Sequence, residues 1–276
     1  MARLRSPRIL SAALAGLLAL FGAAWATQLF AEGSVPPHIH DLPGDRKPLP
    51  CPDNALVIVL FGQSLSANSG TRLFRPASEP TVPPAYNYFA GHCYPLRDPM
   101  LGAAGDGGSI GTPMAGYVSA ALRRPVVLIA GGIGGTSIVQ WTARDSAMRD
   151  LLLDRIADAR RAGLRPAIHV WVQGEADVAM PAASYANELG RLHARMPAAP
   201  WIVTSNSVCP PSARRSASLD QARSAFASRT PGIHLGVDMD ALGPAFRQAD
   251  GCHLNGDGQE RVARMIASAV VQALGG

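Results

Sequence analysis

Ser64, Asp250 and His253 are the residues of this chain whose types and settings suit acyl transfer. A serine hydroxyl is a weak nucleophile until an imidazole takes its proton, and the imidazole needs a carboxylate to hold its tautomer and stabilise its cationic form. Asp250 and His253, in the run Asp250-Gly251-Cys252-His253, supply the last two roles, and Ser64, in Gly62-Gln63-Ser64, supplies the first. The charge that develops on a substrate carbonyl oxygen needs donors aimed at it. The Ser64 N–H, a backbone N–H from the Gly134/Gly135 turn and the side-chain amide of Gln173 offer three, and the motif leaves open which of the two glycines contributes. Because an unperturbed histidine titrates near ~6.5, activity that depends on His253 is expected to rise from acid toward neutral pH.

Each piece alone is commonplace: a Gly-x-Ser after a strand is most often a turn, and a lone Asp-x-x-His is most often a surface pair or a helix cap. Gly131–Gly135 would also serve a tight turn or a phosphate nest, but the Walker lysine pattern and a full GxGxxG with its downstream acid are missing. Glu175 and Asp177 form a second carboxylate pair of the kind used in glycoside hydrolysis or metal binding, with no third and fourth ligand beside them. No metal and no organic cofactor is expected. Weight comes from the pieces occurring together, each after a predicted strand or before the last helix.

Those elements follow from hydrophobic patterning. Short apolar runs at Ala55–Leu60, Pro125–Ala130, Ala167–Val172, Trp201–Ser205 and Ile233–Val237 read as strands. Longer amphipathic segments at Thr112–Arg124, Ala143–Ala162, Ala182–Met196, Ser212–Ser228 and Gly256–Leu274 read as helices. The alternation predicts one α/β domain over residues 55–276, a five-stranded parallel sheet with helices on both faces. Ligands of such sheets bind beyond the carboxyl ends of the strands, which is where the four motifs fall.

Composition narrows the function classes. The 276 residues are 47% hydrophobic and 16% charged, enough for a substantial core. The net charge of +5 includes Arg3, Arg5 and Arg8, so the rest of the chain is near +2, and Lys47 is its single lysine. A nucleic-acid partner is therefore not expected. The three arginines precede an apolar run from Ile9 to Phe30, the pattern of an export signal, with Ala24-Trp25-Ala26 as a cleavage site. The run is also long enough for an uncleaved anchor, and both readings of residues 1–31 place the domain outside the cytoplasm. Residues 32–54, rich in proline and glycine and containing His38-Ile39-His40-Asp41, read as a spacer. Four cysteines in an exported chain imply two disulfides. Three pairings exist; Cys51 with Cys93 and Cys209 with Cys252 is favoured because each pair lies near the same candidate loops.

The ordered set Gly62-Gln63-Ser64, Gly134-Gly135-Thr136-Ser137-Ile138 with Trp141, Trp171-Val172-Gln173-Gly174-Glu175-Ala176-Asp177 and Asp250-Gly251-Cys252-His253-Leu254-Asn255 resembles the SGNH hydrolase superfamily. More narrowly it is similar to the sialate O-acetylesterase-like branch, which includes the carbohydrate esterase family 6 acetylxylan esterases. The resemblance spans about residues 55–273. It implies a flavodoxin-like three-layer α/β/α fold, Ser64 as nucleophile, His253 as general base, Asp250 as its partner and Gln173 in the oxyanion role, with Gln63, Glu175 and Asp177 positioning loops. Leu65 stands where the branch often carries asparagine.

Gly70–Gly111 shows no clear element and reads either as a binding loop or as a packed surface loop pinned by Cys93. Its Tyr86, Tyr88, Phe89, His92 and Tyr94 suit stacking on a sugar, beside Arg72, Arg75 and Arg97. Trp141 and Trp171 are expected as core or loop anchors and not as ligand platforms. The function expected is an exported serine esterase that removes O-acetyl groups from a glycan or another small ester. The alternatives are a non-catalytic glycan-binding module on the same fold and an O-acetyltransferase with the same triad.

Overall fold

A computed structural model describes residues 39–75, 83–212 and 214–275. The leader expected over residues 1–31 lies outside them. Among the described residues no helix is long and apolar enough to cross a membrane.

The centre of the molecule is strand β1 (Leu56–Gly62), buried at every residue. Successive strand side chains point to opposite faces, and β1 divides accordingly. Leu56, Ile58 and Leu60 face helices α1 (Gly111–Leu122) and α6 (Gly256–Ala273), where Met114, Val118, Val262, Ile266 and Val270 cover them. Val57, Val59 and Phe61 face the opposite layer. That layer comprises α2 (Ile138–Thr142), α3 (Ala147–Arg161), α4 (Ala182–His193) and α5 (Ala217–Arg229). Trp141, Trp171 and Trp201 cluster around Phe61 there, with ring centroids 4.9–5.7 Å from it. Of the two placements expected for Trp141 and Trp171, core or loop anchor, the core is the observed one.

The three-layer α/β/α fold is as expected, but the sheet has seven strands, not five. In addition to β1 they are β2 (Ala85–Phe89), β3 (His92–Pro95), β4 (Val126–Gly132), β5 (Pro166–Val172), β6 (Trp201–Val203) and β7 (Ile233–His234), in the order β3-β2-β4-β1-β5-β6-β7. All neighbours are parallel except β2 and β3, which form an antiparallel hairpin. This hairpin lies inside Gly70–Gly111 and corrects the picture of an element-free loop. Tyr88 and Tyr94 are buried, and Tyr88 donates its hydroxyl to Asp158 of α3 at 2.9 Å. β2 pairs with Val126–Leu128, the half of β4 remote from Gly132, so these two tyrosines close a sheet edge and do not offer faces to a sugar.

Two further expectations are revised. The helix expected over Ala143–Ala162 begins only at Ala147: the backbone is extended at Ala143, where the separate short helix Ile138–Thr142 ends, and the longer helix starts behind the Ser146 cap. Residues 39–54 of the expected spacer lie against the domain. His40 N–H donates to Ala103 O, Leu49 N–H donates to Cys93 O, and Cys51 is bonded to Cys93. The second disulfide joins Cys209 to Cys252, so both pairings are the favoured ones.

Candidate active site

The loops after β1, β4 and β5 leave the sheet at its carboxyl edge, where Gly62 pairs with both Gly132 and Val172. Gly62 has φ +130°, and a Cβ there would lie 2.1 Å from the Val172 carbonyl oxygen. Only glycine lets the first and third motif loops part from adjacent strands this closely.

Ser64 begins a 3₁₀ turn, Ser64–Ser66, and is partly exposed among buried neighbours. The turn is held from below: Gln63 N–H donates to Val172 O, and Ser66 Oγ donates to Gln63 O at 2.7 Å. Asn68 fastens the next stretch to residues 100–105, accepting Met100 N–H at 2.7 Å and donating to Met100 O, Ala103 O and Gly105 O. Gly134 lies against the serine, since a Cβ built on it would sit 3.7 Å from Ser64 Cβ; Gly135 has no such neighbour. Among the described residues no protein acceptor takes the N–H of Ser64 or of Gly134.

Asp250 and His253 meet in the turn before α6. His253 Nδ1 lies 2.6 Å from Asp250 Oδ2, while Asp250 Oδ1 accepts the N–H groups of Cys252 at 2.9 Å and His253 at 3.0 Å. Partial burial works to raise the Asp250 carboxyl, and these three donors outweigh it and hold it below its ordinary value. A carboxylate only accepts, so Nδ1 carries the proton and Nε2 is left basic. Buried Arg247 braces the turn by donating to Cys252 O and Met239 O, and Asn255, two residues after the histidine, caps α6. Among the described residues Ser64 Oγ is not hydrogen-bonded to His253. The two loops connect instead through Ser69 and Gln248: Ser69 Oγ donates to Ser64 O at 2.5 Å, and Gln248 Nε2 donates to Ser69 O at 2.7 Å.

Gln173 is placed differently from its expected role. It is fully buried, with one amide hydrogen directed at Thr136 O and the other at Asp177 Oδ2, while Oε1 accepts from Tyr185 OH at 2.7 Å. Its donors are spent within the protein. The loop around it is pinned on every side. Gln63 Oε1 accepts the N–H groups of Gly174 and Ala176, both at 3.2 Å. Glu175 Oε2 accepts from Asn206 at 2.8 Å, and Arg223 donates to Gln173 O at 3.1 Å. The Glu175 residue is half-exposed, yet its Oε1 is buried without a partner. Burial pushes that carboxyl up to about 7. Asn68, Asn206, Arg223, Arg247 and Gln248 escape sequence reasoning, since an isolated amide or guanidinium carries no motif; of these only Asn68 stands close to one, four residues after Ser64.

A model of the family described as carbohydrate esterase, sialic acid-specific acetylesterase, matches residues 57–272. The chain belongs to this family. No curated protein matches the acetylesterase-family sequence significantly. Among solved structures it is similar to an Arabidopsis thaliana protein (21% identity, TM-score 0.61), covering 79% of this chain and 98% of that one. It is also similar to a carbohydrate acetylesterase from Xanthomonas citri (15% identity, TM-score 0.54; 79% and 56% covered). A family 3 carbohydrate esterase of Clostridium thermocellum is a third (13% identity, TM-score 0.55; 80% and 97% covered). At these identities the likeness is one of fold, and it agrees with the SGNH-type architecture expected from the motifs.

Proposed function

We propose that the chain is an exported carbohydrate O-acetylesterase in which Ser64, His253 and Asp250 act as a triad. The observation that carries this reading is the 2.6 Å bond between Asp250 Oδ2 and His253 Nδ1, made in a turn tied to the Ser64 loop. Ser64 Oγ adds to the acetyl carbonyl carbon as its proton passes to His253 Nε2, and Asp250 stabilises the imidazolium. The oxyanion is received by the free N–H groups of Ser64 and Gly134. Collapse breaks the ester C–O bond, and the sugar oxygen leaves with the proton held on Nε2. Water then attacks the acetyl-enzyme, giving its proton to Nε2, and acetate departs as Ser64 regains its hydrogen.

Gln63, Gln173, Glu175 and Asp177 take part by fixing the loops that present these groups. Family membership supports an acetylated sugar as substrate. Two disulfides using all four cysteines support action outside the reducing cytoplasm. Labelling with a fluorophosphonate and mapping the modified peptide tests class and nucleophile together. A single adduct on the peptide carrying Ser64, absent from Ser64→Ala, is the expected result. Hydrolysis of p-nitrophenyl acetate by Ser64→Ala at the wild-type rate would overturn the reading.

A further inference from the structure

We infer that Gln248 is a positioning residue for the reaction, setting the nucleophile loop and the acid–base turn in register with each other. The inference rests on Ser64 and His253 being nucleophile and base as proposed above. These two residues belong to opposite ends of the folded chain, one after the first strand and the other before the last helix. Among the described residues, the bond from Gln248 Nε2 to Ser69 O is the one hydrogen bond between residues 63–69 and residues 247–254.

Gln248 holds the His253 side of this junction through its own backbone. Its N–H donates to His253 O at 2.8 Å, and its carbonyl accepts Gly251 N–H at 2.9 Å, so the residue closes the loop that carries Asp250 and His253. Its side-chain nitrogen has two hydrogens and divides them, one to Leu254 O at 3.0 Å beside the histidine and one to Ser69 O at 2.7 Å. The reverse orientation of the amide would aim its oxygen at two carbonyl oxygens, which fixes the assignment. Ser69 relays the contact to the nucleophile by donating its hydroxyl to Ser64 O at 2.5 Å. Gln248 therefore bears on the Ser64-to-His253 spacing while touching neither reacting atom. A misplacement of about 1 Å between reacting groups costs on the order of 100-fold in rate.

The test replaces the double donor with a side chain of similar length that has none, Gln248→Met, and with one that keeps donors, Gln248→Lys. For Gln248→Met the expected result is a fall in kcat of roughly 10- to 100-fold on p-nitrophenyl acetate, matched by slower fluorophosphonate labelling, with KM within about twofold. Gln248→Lys, whose ammonium can donate to both carbonyls, is expected to keep most of the wild-type kcat. Wild-type kcat in Gln248→Met overturns the inference. So does a loss of kcat that only mirrors the unfolded fraction in a thermal melt, or a kcat in Gln248→Lys as low as in Gln248→Met. Absence of labelling at Ser64 in the wild-type protein would instead defeat the proposed function.

Discussion

Asp177 Oδ2 accepts the backbone N–H of Ile138 at 2.7 Å. A carboxylate from the loop after β5 thus sits at the first turn of the helix that follows the loop after β4, and the same oxygen takes a hydrogen from Gln173. Burial pushes the Asp177 carboxyl above its ordinary range in spite of both donors. The loops bearing Gly134 and Gln173 are locked together through one buried oxygen.

Gln173→Ala is accordingly expected to lower stability and activity together. It removes one of the two donors to Asp177 Oδ2 and leaves Tyr185 OH with the residue-173 carbonyl as its remaining acceptor, at about 1–3 kcal/mol in all. A drop in Tm of roughly 5 °C or more is expected for a domain of this size. A donor acting only on the substrate oxyanion would give a different pattern, kcat lower by about 100-fold or more with Tm unchanged, and thermal melts beside steady-state kinetics distinguish the two.

Asp250→Asn is expected to preserve the turn and impair turnover. The Asn oxygen can keep the N–H groups of Cys252 and His253, which turns its NH₂ toward His253 Nδ1. Nδ1 must then accept, the ring proton moves to Nε2, and the base faces Ser64 in the wrong tautomer. A loss in kcat on the order of 10³- to 10⁴-fold follows, to be measured at neutral pH with circular dichroism confirming the fold. Retention of more than a tenth of wild-type kcat would argue against Asp250 as the orienting group.

Glu175 makes stability depend on pH. Burial raises its carboxyl to about 7, so the folded protein binds this proton more tightly than the unfolded chain, whose glutamate titrates near ~4.3. The resulting stabilisation is complete below the unfolded value and is lost as pH rises toward about 7. Tm is expected to fall between pH 5 and pH 8 more steeply in the wild type than in Glu175→Gln. Parallel Tm curves across that range would refute the assignment.

The two disulfides close loops of almost equal length, 42 and 43 residues, so chain entropy assigns each a similar stabilisation of about 4 kcal/mol. Their positions differ, because Cys252 stands between Asp250 and His253. Replacing Cys51 and Cys93 with alanine is expected to reduce Tm while leaving kcat near wild type at a temperature where the variant is folded. Replacing Cys209 and Cys252 is expected to cost a similar Tm and to lower kcat at least ~10-fold. Equal kcat in the two double variants would show that the second disulfide does not steady the acid–base turn.

What could be read from the chain follows from where each signal resides. β1 and β4 are continuous apolar runs because both sheet faces are covered, and a buried strand announces itself that way. Ser64, Asp250, His253 and the Gly134/Gly135 pair are legible because short motifs around them are local, whereas the choice between the two glycines needs the fold, which sets Gly134 against the serine. The β2–β3 hairpin is not legible in the sequence because its tyrosines suit a packed loop and a sugar platform equally, and only the long-range bond from Tyr88 to Asp158 shows which role they play. The role expected of Gln173 came from motif position, whereas its partners Thr136, Asp177 and Tyr185 come together only in the fold. Gln248 meets Ser69 across 179 positions of sequence, and no local pattern encodes such a pairing.

The serine lies just past the first strand and the histidine just ahead of the last helix, which gives the domain a built-in order of events. A chain that has been synthesised only as far as the fifth helix presents a serine with no base, and the proposed triad waits for the turn that carries Asp250 and His253. Turnover by that triad becomes a direct readout of whole-domain assembly.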